Sequence, residues 1–153
     1  MRDCASENFF RDDGGAGMED GVLFWHIDFR EHDTLPRGPQ EGGQRWYAGN
    51  RLGFTTLGIC VWGKDFPKTY FSYCSTVLET SALYTQACLL DLAGRIGHSR
   101  YHTFVLWADC GPHFRCGRFL AFWLVHFRKL LGKSKHVLKF WPEGHGKGQL
   151  DGH

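Results

Sequence analysis

The chain has 153 residues, with 18 Lys plus Arg against 16 Asp plus Glu, and is 42% hydrophobic and 16% aromatic. That length suits one domain whose core needs no disulfide support, and the aromatic content excludes a disordered chain. No run approaches the roughly eighteen apolar residues of a membrane span, and the start, Met1-Arg2-Asp3-Cys4, lacks the apolar stretch of a secretory signal.

The formal net charge of +2 hides an asymmetry: residues 1–50 carry 5 basic and 10 acidic side chains, residues 51–99 carry 4 and 3, and residues 100–153 carry 9 and 3. A basic last third is able to meet a polyanion, although a solvated helix face is the commoner reason for scattered Lys and Arg. Cys4, Cys60, Cys74, Cys88, Cys110 and Cys116 are spread along the chain without a dense framework. They read as buried or free thiols of a reducing compartment.

In chain order, residues 1–20 are polar, rich in Gly and Asp and aperiodic, which reads as a loose leader. Residues 22–29 form an apolar, β-forming run that closes around Asp28, and residues 30–50, with Pro36 and Pro39, read as a long loop. Residues 52–62, with β-branched Thr55, Thr56, Ile59 and Val61, predict a second strand, and Gly63-Lys64-Asp65 a turn. Residues 69–74 alternate as a third strand. Glu79-Thr80-Ser81 supplies cap candidates for a helix over 82–96, in which Leu83, Ala87, Leu90 and Ala93/Gly94 fall at helical spacing and Gly97 stands where a C-cap glycine belongs. Residues 103–108 predict a fully buried strand. A second helix over 115–131 is apolar almost all round and ends at Gly132, with Phe119, Phe122, Trp123 and Phe127 read as core. Residues 137–141 close the order β-β-β-α-β-α-β as a fifth strand, and 142–153 form a Gly-rich loop.

Two acids stand out by position, Asp28 at the end of the first strand and Asp109 at the end of the fourth. If those strands are neighbours, both carboxylates leave the sheet at one edge, and oxygen ligands of this kind suit Mg²⁺. Two such ions activate a water or hydroxyl and stabilise the leaving oxygen in phosphodiester chemistry. The plainer alternative is that both are turn or capping acids. The segment 143–153 holds Glu143, His145, Lys147 and Asp151 among alternating glycines that allow close approach to a phosphate, but it is neither a dinucleotide fingerprint nor a P-loop. Cys110, His113 and Cys116 with His102 nearby suggest zinc, yet structural zinc wants four ligands and no second pair has finger-like spacing.

The strand ending in Asp28, the segment Trp107-Ala-Asp109 with Gly111-Pro112 and Phe114-Arg115 after it, and His145-Gly-Lys147 with Asp151-Gly152 together resemble the RNase H-like catalytic core of eukaryotic DDE-type transposases and their domesticated relatives, over residues 20–153. The resemblance implies an α/β fold with a mixed sheet flanked by helices, one domain over 21–153 that stops short of the family's final helix, and a nuclear protein. It implies metal-dependent DNA cleavage and strand transfer, with Asp28 and Asp109 holding two Mg²⁺ or Mn²⁺ ions, and Asp151, or else Glu143, as the third acid. His145 and Lys147 would steady the scissile phosphate. Arg115 and Arg118, with Arg128, Lys129, Lys133, Lys135 and Lys139, would contact DNA backbone. Partners are DNA and, in an oligomer, further copies of the chain. The alternative is a catalytically inactive domain of transposon origin that binds nucleic acid or protein.

Overall fold

The computed structural model describes residues 19–35, 52–78, 80–132 and 135–141, and only the backbone of residues 31–35. Its spine is a pair of apolar runs long enough to be strands and apolar enough to be buried on both sides. These are the first half of β1 (Val22–Leu35) and all of β4 (Thr103–Ala108). They pair in parallel from Val22 opposite Thr103 to Ile27 opposite Ala108. Around them, β2 (Leu52–Gly63) and β3 (Phe66–Ser75) add antiparallel on one side, and β5 (Lys135–Phe140) adds parallel to β4 on the other. The result is a five-stranded mixed sheet in the order β3-β2-β1-β4-β5. The chain is thus an α/β protein.

The strands outrun their sequence signals where a neighbour supplies hydrogen bonds. β1 continues to Leu35, into the region expected as loop, because β2 pairs with it across a register shift between Arg30 and Asp33. β3 begins at Phe66, three residues before the expected start, and its exposed Pro67 is tolerated because β3 is an edge strand. Entry into β1 turns on Gly21, at φ 71, whose carbonyl accepts the His102 and Thr103 N–H groups at 2.9 and 3.2 Å. A Cβ there would lie 2.5 Å from the His102 ring.

Strand alternation gives the sheet two faces. Leu23, Trp25 and Ile27 join Leu57, Ile59, Phe104 and Leu106 in the larger core, and every buried apolar residue of the helices belongs to it. Val22, Phe24, Cys60, Trp62, Val105 and Trp107 form a second cluster on the opposite face. Trp25 is fully buried at the centre of the larger core and meets Trp123 and Phe127 edge-on at 6.2 and 6.1 Å. The aromatic run of the second helix is therefore core, as its spacing predicts.

Helix α1 (Ala82–Arg95) starts where Ser81 accepts the Tyr84 N–H at 3.3 Å, a side-chain cap worth about 1 kcal/mol. The face it buries is Ala82, Thr85, Cys88, Leu89, Leu92 and Ala93. Of Leu83, Ala87, Leu90 and Ala93/Gly94, the stripe that marked it as a helix, only Ala93 is buried and the others are exposed. Its end also differs from expectation. Ile96 caps it in extended backbone, Gly97 has no positive φ, and His98 Nδ1 lies 3.1 Å from the Ala93 carbonyl.

The expected second helix is in pieces. α2 (Pro112–Arg115) opens with Pro at its first turn, where the missing N–H costs nothing. Cys116 is extended at ψ 149, and α3 (Gly117–Ala121) starts after it. A π-helical stretch, Phe122–Phe127, widens the turn before α4 (Arg128–Leu131). Gly132 ends the run at φ 93, as its position predicts. Among the described residues no helix is long and apolar enough to cross a membrane.

His136 of β5 points into this aromatic layer, with ring centroids 5.2 Å from Phe104 and 5.1 Å from Trp123. Burial pushes its pKa down to about 4, against an opposing contribution from the Trp123 backbone, and the Arg128 charge adds to the fall. The fold therefore holds the neutral ring, whereas the unfolded chain binds a proton below about 6.5. Stability is expected to be full above that pH and to fall as the pH drops towards 4. In thermal melts, His136→Phe should flatten the slope over that window.

Candidate functional site

Extending the β1–β4 register by one residue beyond Ile27 opposite Ala108 sets Asp28 opposite Asp109. Adjacent strands lie about 4.8 Å apart, and residues opposite each other in a parallel pair lie on the same face. By alternation Asp28 is on the face of Val22 and Phe24, away from the helices, whereas Asp109 lies past the end of β4 in the turn that leads to α2. On its other side Asp28 is opposite Gly58 of β2, which places no side chain beside it. Of the two acids singled out by sequence, Asp109 follows the end of β4 as expected, whereas Asp28 does not close β1, which runs on to Leu35 because β2 continues to pair with it.

Asp109 is held by the turn that follows it. Its Oδ1 accepts the Gly111 N–H at 3.0 Å, an Asx-type turn. His113 Nε2 lies 3.7 Å from the same oxygen. The imidazole is wedged edge-on against Phe29 at 4.9 Å and Phe114 at 4.2 Å. Burial lowers the His113 pKa, and the Asp109 charge opposes that shift. Gly111 makes the packing possible, because a Cβ there would fall 2.6 Å from His113 Cε1 and 2.9 Å from Asp109 Oδ1.

The zinc ligand set does not assemble. Cys110 donates its thiol to the Trp141 carbonyl at 2.7 Å, and Cys116 donates to the His113 carbonyl at 3.5 Å. His102 sits at the other end of β4, roughly 25 Å away along the strand, where Nε2 and Nδ1 lie 3.1 and 2.9 Å from the Asp20 carbonyl and the Thr103 hydroxyl. Among the described residues there is no group of three or more His, Cys, Asp or Glu placed to hold a metal ion. Cys60, Cys74, Cys88, Cys110 and Cys116 are free thiols.

Glu143, His145, Lys147 and Asp151, proposed from sequence as third acid and phosphate contacts, lie outside the described residues, as do Cys4 and Lys133. Arg115 and Arg118 are exposed on α2 and α3, just after the Asp109 turn. Lys139 is exposed on β5 opposite Trp107, with Nζ 4.9 Å from the indole centroid. Arg128, Lys129 and Lys135 lie further back, because the helical segment returns to the amino end of β5, where Lys135 pairs with Thr103. The basic tail is thus split between the two ends of the sheet.

Sequence reasoning passed over the aromatic wall beside the acids. Trp141, just past β5, stacks on Trp107 at 4.5 Å and meets the His26 ring at 6.0 Å. His26 precedes Asp28 by two residues, so it shares that residue's face, and it is only 2% exposed. The alternation of β1 was the available signal. Compared with protein-family models and with curated proteins, the chain matches none. What the fold defines is an α/β protein with a five-stranded mixed sheet.

Replacing Gly111 by Ala should cost about 1–3 kcal/mol through overpacking. The loss should be smaller when combined with His113→Ala, which removes the ring that the new methyl meets. A thermodynamic cycle by urea unfolding measures this coupling.

Proposed function

We propose that this chain is an RNase H-like core of the DDE transposase type, and that the edge carrying Asp28 and Asp109 binds divalent cations for phosphodiester cleavage and strand transfer on DNA. The observation that supports this most is the parallel β1–β4 register, which ends at Ile27 opposite Ala108 and is followed on the two segments by Asp28 and Asp109. The mixed sheet of strand order β3-β2-β1-β4-β5 is compatible with such a core.

The donor chemistry fits the metal. Two carboxylates with substrate phosphate oxygens suit Mg²⁺ or Mn²⁺, which take hard oxygen ligands. When bound, the ions activate the attacking water or 3′-hydroxyl and stabilise the leaving oxygen. The chain's own part is to fix the carboxylates: the Gly111 N–H anchors one oxygen of Asp109, and β1 pairing anchors the backbone of Asp28. Asp151, or Glu143, would complete the set. Arg115 and Arg118, which follow the Asp109 turn, and Lys139 of β5 would contact DNA backbone, and His145 and Lys147 would meet the scissile phosphate. A nuclear location follows from that activity.

One observation favours the second reading, a catalytically inactive domain that binds nucleic acid or protein. The Asp109–Gly111 bond by itself gives Asp109 a structural role. Asp109→Asn separates the two, because the amide retains an oxygen for the Gly111 N–H while losing the charge. Plasmid nicking with Mg²⁺ or Mn²⁺ is expected, and Asp28→Asn or Asp109→Asn should each reduce it at least about a hundredfold, close to 2.7 kcal/mol of barrier. Absence of nicking, with DNA binding that survives both changes, would establish the inactive reading.

Backbone contacts release counterions, so log affinity for duplex DNA should fall linearly with log salt. Arg115→Ala and Arg118→Ala should each reduce the slope by about one. A flat response removes DNA as the partner.

A further inference from the structure

We propose that the outward side of the second helical run, α3 through the π-helical stretch to α4, docks on the anionic surface of a lipid bilayer, lying flat on it without crossing. Phe119, Trp123 and Phe127, four residues apart, are fully buried and hold the run against the sheet. Ala121, Val125 and Lys129 repeat the same spacing two residues out of step, so they stand on the opposite side, and all three are exposed. Leu124 and Arg128 border them on one flank, His126 and Leu130 on the other, and these are exposed as well. The apolar members protrude: Leu124, Val125 and Leu130 are 42%, 58% and 65% exposed.

Charge names the occupant. From residue 110 to residue 142 the sequence carries seven Lys or Arg and no Asp or Glu. Among the described residues no acid forms an ion pair with Arg128 or Lys129. These two cations follow Leu124 and Val125 at the i+4 spacing that makes neighbours on a helix surface. Long cationic side chains so placed keep their charges at headgroup level while the apolar neighbours enter the interface. Lys135, exposed at the start of β5 just beyond the run, adds a further cation.

The combination selects among anionic partners. Duplex DNA satisfies the cations but leaves Leu124, Val125 and Leu130 in water. A partner helix is received in an apolar groove, whereas these three side chains stand out from the crest of one helical run. A bilayer interface accepts protruding apolar side chains and cations together. The run also presents its length and not its tip, about 20 Å over residues 118–130, because its buried side is packed along the sheet.

Three apolar side chains bind neutral lipid weakly, so affinity depends on the anionic charge. Each Lys or Arg near an anionic leaflet contributes about fivefold, screened over about 8 Å at physiological salt. Asp28 and Asp109 take no part, so lipid binding and DNA nicking are separable.

Co-sedimentation of the full chain with vesicles of phosphatidylcholine alone, or with about one third phosphatidylserine, tests this. Binding to the anionic vesicles is expected, falling as salt rises, with little binding to the neutral ones. Arg128→Gln with Lys129→Gln should lower the partition coefficient about twenty-five-fold, about fivefold for each charge. Val125→Ser with Leu130→Ser should lower it at least about tenfold by removing apolar contact. Melting temperatures of both variants should hold, because all four side chains are exposed. No binding to anionic vesicles, equal binding to neutral ones, or binding indifferent to the Ser pair each overturns the proposal. Failure to bind vesicles while the Gln pair weakens duplex DNA binding would make this face a DNA contact instead. Failure to bind vesicles while the Ser pair abolishes capture of a Glu-rich amphipathic helical peptide would make it a protein-docking face.

Discussion

The parallel hydrogen-bonded pairing of β1 with β4 is the constraint from which the rest of this fold follows. Both strands are central, so each must bury side chains on two faces at once, and both answer with apolar runs, Val22–Ile27 and Phe104–Ala108. One face accepts the helices and builds the larger core around Trp25, Leu106 and Phe104. The other carries Phe24, Trp62 and Trp107. A register slip of one residue would exchange these faces, turning Asp28 towards the helices. Burial of Trp25 at 0% exposure and the placing of the acids are consequences of the same pairing.

The helical layer shows how aromatic residues manage a crowded core. Trp123 and Phe127 stack at 5.2 Å with planes 25° apart, and both turn edges to Trp25. Aromatic quadrupoles favour these offset and edge-on arrangements. The π-helical stretch that carries them changes the angular spacing of Phe122, Trp123 and Phe127, so that all three are buried where a regular α-helix would spread them further round. The Trp123 indole N–H also donates to the Val137 carbonyl at 3.2 Å, tying the layer to β5.

Much of the fold was legible because local signals and tertiary demands agreed. Thr103–Ala108 is the strand its unbroken apolar run predicts, and Ser81 caps α1 as its position suggests. Disagreement arose where a partner distant in sequence decides. β1 runs on to Leu35 because β2 offers hydrogen bonds, information absent from residues 30–35 themselves. α1 is amphipathic in two directions, and spacing alone does not reveal which of two apolar stripes the sheet will take. Gly97 looked like a cap, but the His98 ring beside the Ala93 carbonyl makes a left-handed residue unnecessary. Asp109 was legible as a strand-ending residue, whereas Asp28 lies inside β1, and that its strand neighbours β4 required the strand order. His26 and Trp141 were missed because their place beside the acids depends on alternation and on β5 lying next to β4.

The site asks one residue to serve two ends, and the geometry indicates how they are compatible. A carboxylate offers about four lone-pair directions, and the Gly111 N–H takes one of them on Oδ1 of Asp109. That bond limits rotation of the carboxylate without neutralising it, which is what a ligand fixed before its cation arrives requires. His113, 3.7 Å from the same oxygen, is pushed towards its neutral form by burial. A neutral ring leaves the negative charge of Asp109 available, whereas an imidazolium in that place would compete with any cation approaching from the sheet edge. The turn that makes Asp109 look structural is therefore also the arrangement that would prepare it for a metal, and the charge, not the turn, is what separates the two roles.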